Sequence, residues 1–135
     1  MLRSSVNIFG TSIRVSKAFL FIGYIAQNED LYDFLRSFGY ILVFKPTIKD
    51  SIGKPKGNVD AELVLHSAAI EFSNYNKAIV VSGDGDFCCL YDFLIKRRKL
   101  LNIVVPNSKS ESTLLTPFKD HKTYLIFEKK KLEWK

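Results

Sequence analysis

Val80-Val81-Ser82-Gly83-Asp84-Gly85-Asp86-Phe87 is the stretch on which the reading of this chain turns. An apolar run beginning at Ala78 ends in two carboxylates two positions apart, with glycines among them. A helical pattern starts at once, with Phe87, Leu90, Phe93 and Leu94 on one side up to about Lys99. A buried strand that releases acids into a glycine-rich turn ahead of a helix belongs to an open α/β sheet, where ligands sit beyond the carboxyl ends of the strands. The glycines permit a tight turn and the close approach of a ligand. In a purely structural account Asp86 caps the helix and Asp84 stabilises the turn. That account serves for one Asp. Two unneutralised carboxylates repel each other, and their placement at the mouth of a parallel sheet favours a hard-cation site.

Outward from this segment, short apolar runs alternate with helix-like segments, the pattern of an α/β fold with a mostly parallel sheet. Ala18–Ile22, continuing towards Tyr24 and Ile25, reads as a strand buried on both faces. Asn28-Glu29-Asp30 offers a cap and acids for a helix carrying Leu31, Phe34, Leu35 and Phe38 at spacings of three and four, stopped by Gly39. Tyr40–Phe44 is a second strand closed by Pro46, and residues 48–57 read as an exposed turn or short hairpin. Asn58 opens a helix predicted from Val59 to about Phe72, with Asp60 and Glu62 in its first turn. Leu101–Val105 is a fourth strand stopped by Pro106. A polar loop over 107–113, a short helix near 113–119 and a strand near 123–127 complete the pattern.

The chain has 135 residues, enough for one compact domain, and an ordinary apolar share of 47% excludes global disorder. The longest apolar run, Ala18–Ala26, is about half of the ~20 residues a helical membrane span needs, so no membrane partner is expected. The two cysteines, Cys88 and Cys89, are neighbours and read as packing residues with free thiols, which points to a reducing, cytoplasmic setting. Residues 96–135 hold eleven Lys or Arg against four acids, a balance of +7 in a chain of +6, so the first 95 residues sum to −1. A near-neutral body with a basic C-terminal third suggests a polyanion partner. His66, beside Leu63, Leu65 and Ile70, reads as a core histidine, and Asp60 and Glu62 alone are explained by the helix dipole. There is no His-Glu-x-x-His, no CxxC and no GxxxxGK[ST], so zinc hydrolysis and nucleoside-triphosphatase chemistry have no support.

Lys56-Gly57-Asn58-Val59-Asp60-Ala61-Glu62-Leu63, followed by Ala78–Phe87, resembles the NYN domain of the LabA-like group within the PIN-like nuclease superfamily. The likeness also takes in Phe21–Tyr24, Leu31–Leu35 and Gly39–Pro46, and runs from Lys17 onward. The resemblance implies a Rossmann-like, three-layer α/β fold and a single domain over 1–135 with a charged tail at 128–135. It further implies an acid cluster binding Mg²⁺ or Mn²⁺ that cleaves RNA. Carried over, Asp60, Asp84 and Asp86 are the catalytic and metal-binding acids, and Glu62 falls where some relatives hold a further one.

Two departures accompany it. The family's first strand ends in an Asp, whereas here Ser4-Ser5-Val6-Asn7 matches that turn only faintly and no acid precedes Glu29. Many relatives carry an Asp where this chain has His66. The domain is therefore expected to be N-terminally short and to lack the usual first strand, unless the natural start lies upstream. An exposed sheet edge left in this way would favour a homodimer. In this reading Lys54, Lys56, Lys96, Arg97, Arg98 and Lys99, with Lys129–Lys131, attract the RNA backbone without reading sequence. The alternative is a catalytically impaired module of the same fold that binds RNA or protein.

Overall fold

The structure is a computed structural model that describes residues 4–8, 11–46, 48–49, 51–53, 55–56 and 59–124. The chain divides between His66 and Ser67 into two compact units.

The first unit opens with strands β1 (Ser4–Ile8) and β2 (Thr11–Val15), an antiparallel hairpin in which Ser4 faces Val15 and Ile8 faces Thr11. Neither strand was legible in the sequence pattern. Strand β3 (Ala18–Tyr24) and strand β4 (Tyr40–Pro46) pair in parallel, Ala18 against Tyr40 and Tyr24 against Pro46. Every residue of β3 is half-buried, where the sequence suggested burial on both faces. The crossover between them is a 3₁₀ turn at Ala26–Asn28 and helix α1 (Glu29–Ser37). Glu29 and Asp30 occupy its first turn as expected, although the Asn28 side chain makes no capping bond. Gly39, at φ +94°, ends it in the left-handed conformation that glycine tolerates.

The buried face of α1 differs from the periodicity reading. Leu31, Phe34 and Phe38 are exposed, Phe34 to 59%, while Tyr32 is buried to within 2%. Tyr32 sets its ring 4.8 Å from that of Phe44, and its hydroxyl accepts the Ile25 N–H at 2.9 Å. An aromatic body with a polar tip thus satisfies a backbone donor that an aliphatic side chain would leave unpaired. Strands β5 (Ile48–Lys49) and β6 (Pro55–Lys56) form the short antiparallel hairpin expected there. Asn58, the expected cap of the next helix, lies outside the described residues. Helix α2 (Asp60–Leu65) passes directly into a π-helical turn at His66–Ile70, so the long regular helix expected to Phe72 is not formed. The His66 ring meets Phe21 at 5.3 Å and Phe19 at 6.3 Å, the packing of a core histidine.

The second unit carries a three-stranded parallel sheet in the order β7 (Ala78–Val81), β8 (Leu100–Val105), β9 (Lys122–Tyr124). Val81 lies against Val104, and Val105 against Tyr124. The rest of the strand expected to residue 127 and the tail at 128–135 lie outside the described residues. A 3₁₀ turn at Gly85–Phe87 leads into helix α3 (Cys88–Lys96). Its inner face is Leu90, Tyr91 and Leu94, and it meets a core that includes Ile103, Val105 and Leu115. Cys89 is exposed, so only Cys88 has any of the packing role expected of the pair. Asn102, in the middle of β8, is fully buried, and its side-chain amide has no partner among the described residues.

Helix α3 ends in a Schellman arrangement. Lys99 N–H bonds the Leu94 carbonyl at 2.8 Å and Arg98 N–H that of Ile95 at 2.9 Å. The left-handed position, usually glycine, is Arg98 at φ +58°, a conformation that costs a non-glycine residue on the order of 1–2 kcal/mol.

Truncating the two helices separates buried from exposed apolar groups. Leu94→Ala in α3 is expected to lower unfolding free energy by roughly 2–5 kcal/mol, because its side chain is fully enclosed. Phe34→Ala in α1 is expected to stay within about 0.5 kcal/mol of the parent. Urea denaturation of both variants checks the pair.

Candidate functional site

Because β7, β8 and β9 run in parallel, the segments leaving β7 and β8 emerge at the same edge of the second unit's sheet. Ser82 N–H still bonds the Val104 carbonyl at 3.0 Å, extending the ladder one residue past β7. The chain then turns through Gly83 and Asp84 into the 3₁₀ turn. Asp84 N–H donates to Ser82 Oγ at 3.0 Å, and Asp84 Oδ1 accepts the Asp86 N–H at 2.8 Å. Asp84 is thus the cap of this turn, and Asp86, expected as the cap, stands inside its first turn. One oxygen of Asp84 is spent on the backbone. Asp86 makes no capping bond, and its carboxylate faces the depression from the first turn.

From β8 the chain runs through Pro106 into a 3₁₀ turn at Ser108–Ser110, capped by Asn107, and back across the same edge. Ser112 N–H bonds the Gly83 carbonyl at 3.2 Å, tying the two loops together. Between them lies an open depression of about 470 Å³ lined by Ser82, Gly83, Asp84, Gly85, Asp86, Ser110 and Ser112. Ser110 and Ser112 were missed in the sequence, where residues 107–113 read only as a polar loop. The signal available was the serine-rich run directly after a parallel strand neighbouring β7.

The two glycines play different parts, and neither has the positive φ that a glycine-requiring turn would show. A Cβ on Gly85 would fall 2.3 Å from Ser112 Oγ, 2.8 Å from Ser112 Cβ and 2.9 Å from Leu114 Cβ. A Cβ on Gly83 would meet only ordinary contacts, the nearest at 3.6 Å on Val105. Close approach of the two loops, rather than turn geometry, is what demands glycine at 85.

The serine loop is also held from its far side. Glu111 accepts from Lys122 Nζ at 2.5 Å and from Tyr124 Oη at 2.9 Å, both on β9. The Lys122 bond foremost holds the Glu111 carboxyl below its usual range against partial burial, with help from Tyr124 and the Lys122 charge. The ammonium is raised, because its bond to Glu111 and the attraction of that carboxylate outweigh burial. On α3, Tyr91 is fully buried and its hydroxyl has no partner among the described residues. Burial, and then the charge of Asp84, push its ionisation well above that of free tyrosine, so it remains a neutral phenol.

The remaining expected site residues are placed as follows. Asp60 and Glu62 stand in the first turn of α2, in the first unit. Glu62 Oε1 lies 3.5 Å from Lys45 Nζ, an ion pair that the sequence did not suggest. Lys54 lies outside the described residues, and Lys56 is the last residue of β6. Lys96, Arg97 and Arg98 are exposed. Lys99 is turned inward: its ammonium donates to the carbonyls of Phe72 and Tyr75 and lies 4.1 and 4.7 Å from their ring centres.

The family model of the NYN domain matches residues 5–126, and the chain belongs to the NYN domain family. That family is a PIN-like, nuclease-type domain generally associated with RNA. Among solved structures, the chain is similar to a protein of unknown function from Vibrio parahaemolyticus RIMD 2210633. The two share 24% identity over 82% of this chain and 68% of that one, with a TM-score of 0.63, which supports the α/β fold. No curated protein matches the chain.

Two stability outcomes follow from this geometry. Gly85→Ala is expected to cost roughly 1–3 kcal/mol through the forced separation of the loops, and Gly83→Ala less than about 1 kcal/mol; thermal unfolding of the two variants checks the contrast. The Glu111–Lys122 pair makes a pH-dependent contribution. With the carboxyl depressed in the fold, its share is present above the ordinary carboxylate pKa and is lost as pH falls through the folded value. With the ammonium raised, its share is present below the ordinary lysine pKa and is lost as pH rises through the folded value. Glu111→Gln is therefore expected to lower stability at neutral pH and flatten its decline in acid, measured by urea titrations between pH 7 and 3.

Proposed function

We propose that this chain is a metal-dependent ribonuclease that hydrolyses phosphodiester bonds of single-stranded RNA. One observation carries the reading. A chain of the NYN family presents two carboxylates and three hydroxyls around one open depression at the carboxyl edge of a parallel sheet. An all-oxygen donor set, with no thiolate or imidazole lining it, suits a hard cation of the Mg²⁺ or Mn²⁺ kind.

Asp84 and Asp86 would hold the ion, with Asp60 as a further carboxylate and Glu62 as an accessory one. For Asp60 and Glu62 the support is the family resemblance and a family match that spans both acid-bearing segments. When bound, such an ion supplies Lewis acidity towards a phosphate oxygen and a water of increased acidity.

The chain's own groups do the rest. Asp84 is preorganised, since its backbone N–H and one carboxylate oxygen are fixed within the turn. Ser82 Oγ accepts the Asp84 N–H and Ser112 Oγ accepts the Leu114 N–H, so each hydroxyl keeps its proton to donate. Two such donors suit the non-bridging oxygens of a phosphodiester. The depression is shallow and open, which favours an extended strand that can lay one phosphate into it over a small enclosed metabolite.

The test is cleavage of a labelled single-stranded RNA with Mn²⁺ or Mg²⁺. Asp84→Asn is expected to reduce the rate by at least about a hundredfold, on the scale of removing one electrostatic interaction with the transition state. Calorimetry should show Mn²⁺ binding to the parent and none to Asp86→Ala. Cleavage that persists in Asp84→Asn or in excess chelator would overturn the assignment. RNA binding without cleavage in the parent would instead identify a catalytically impaired module.

A further inference from the structure

The basic run after α3 does not belong to the acid-lined depression. Asp84 lies past the carboxyl end of β7, whereas Arg97 and Arg98 precede β8 and sit beside the start of β7, where Ala78 N–H bonds the Lys99 carbonyl at 2.7 Å. Asp84 lies six positions after Ala78 along the chain, a span on the order of 15–20 Å at strand rise. The second unit therefore carries a cluster of exposed cations at the end of its sheet opposite the acid-lined depression.

Four cations gather at that end: Lys77, Lys96, Arg97 and Arg98. All are exposed, and none forms an ion pair among the described residues, although Asp92 stands one turn before Lys96 on the same helix. The turn that presents them is tied down by hydrogen bonds. Lys99 clamps it to Phe72 and Tyr75, and Lys77 Nζ donates to the Arg98 carbonyl at 2.6 Å. The Arg97 guanidinium is steadied 4.9 Å from the centre of the Phe93 ring.

Arg98 is the telling residue. It holds the left-handed position of the Schellman motif, where glycine would be relaxed and would preserve every backbone bond of the turn. Its side chain makes no hydrogen bond, ion pair or ring contact among the described residues that would explain keeping arginine there. An arginine in this strained position, with no contact in the fold to offset the cost, points to a ligand.

We propose that Lys77, Lys96, Arg97 and Arg98 form an exosite for the phosphate backbone of the RNA whose scissile bond lies in the acid-lined depression. This inference rests on the RNA reading above and adds to it a second anchoring point with a defined spacing. Arginine's planar fork suits phosphate oxygens, and a solvent-facing cluster of one sign reads charge but not sequence. A strand engaging both places must bridge the roughly 15–20 Å between them, about four to six stacked nucleotides at ~3.4 Å each. Shorter oligonucleotides reach only one end. Lys99, spent within the fold, takes no part.

The experiment is fluorescence anisotropy with a labelled single-stranded RNA of about 20 nucleotides, in EDTA so that no cleavage intervenes, across a salt series. Arg98→Gly removes the charge and relaxes the turn. Its thermal midpoint is expected to rise while RNA affinity falls several-fold, a combination that unfolding cannot produce. Arg97→Gln with Arg98→Gly should weaken binding by roughly tenfold or more. It should also flatten the slope of log affinity against log salt by about 0.7 for each phosphate that is no longer neutralised. Unchanged affinity and salt slope in the double variant would overturn the exosite while leaving the nuclease reading to the Asp84→Asn result. A parent that binds no RNA at all would overturn both.

Discussion

The parallel pairing of β7 with β8, and of β8 with β9, is the constraint from which the candidate site follows. It delivers the ends of neighbouring strands to one edge, so residues about thirty positions apart in the chain face a common depression. The junction is then locked by small contacts. The Ser112 N–H reaches the Gly83 carbonyl, and Gly85 approaches Ser112 so closely that no side chain fits. A slip of one residue in β8 would carry Ser110 and Ser112 away from Asp84 and Asp86 and invert the faces of Asn102 and Ile103.

The same edge shows how support is divided between elements. The serine loop has few apolar contacts of its own, and its 3₁₀ turn is exposed. Its position depends on Glu111, which is held by two donors of β9 in a largely enclosed setting. Replacing either partner alone would leave a polar group poorly solvated, which is why such pairs fix geometry more reliably than they add stability. Tyr91, fully buried, packs its ring against those of Phe87 and Phe118 and ties the start of α3 to the second unit's core.

Charge is also organised by the sheet's polarity. Asp84 caps the turn after β7 with Asp86 inside it, and Arg97 and Arg98 close the end of α3. In a parallel β–α–β unit these two turns necessarily lie at opposite ends. Under the proposed function, an RNA strand, polyanionic along its length, would use both at once: the cations would hold it away from the chemistry, and the carboxylates with a hard ion would act at the depression. Among the described residues no lysine or arginine lines the depression itself, so its aspartates are not neutralised there directly.

Much of this was legible from the chain alone. Val80–Phe87 marked the strand, the turn, the following helix and the acids, because β-branched runs, glycines and carboxylates signal those elements locally. The NYN signature added the family. What the sequence could not supply were consequences of packing between distant residues. Gly85 looked like a turn glycine, but its backbone is ordinary and its requirement comes from Ser112. Leu31, Phe34 and Phe38 looked like the inner face of α1, but Tyr32 is buried in their place because its hydroxyl satisfies a backbone donor. Lys99 looked like one more surface cation in a basic run, but two carbonyls and two rings draw it inward. Composition and periodicity determine which elements form; which side chains meet across them is decided only when the strands pair and the loops close.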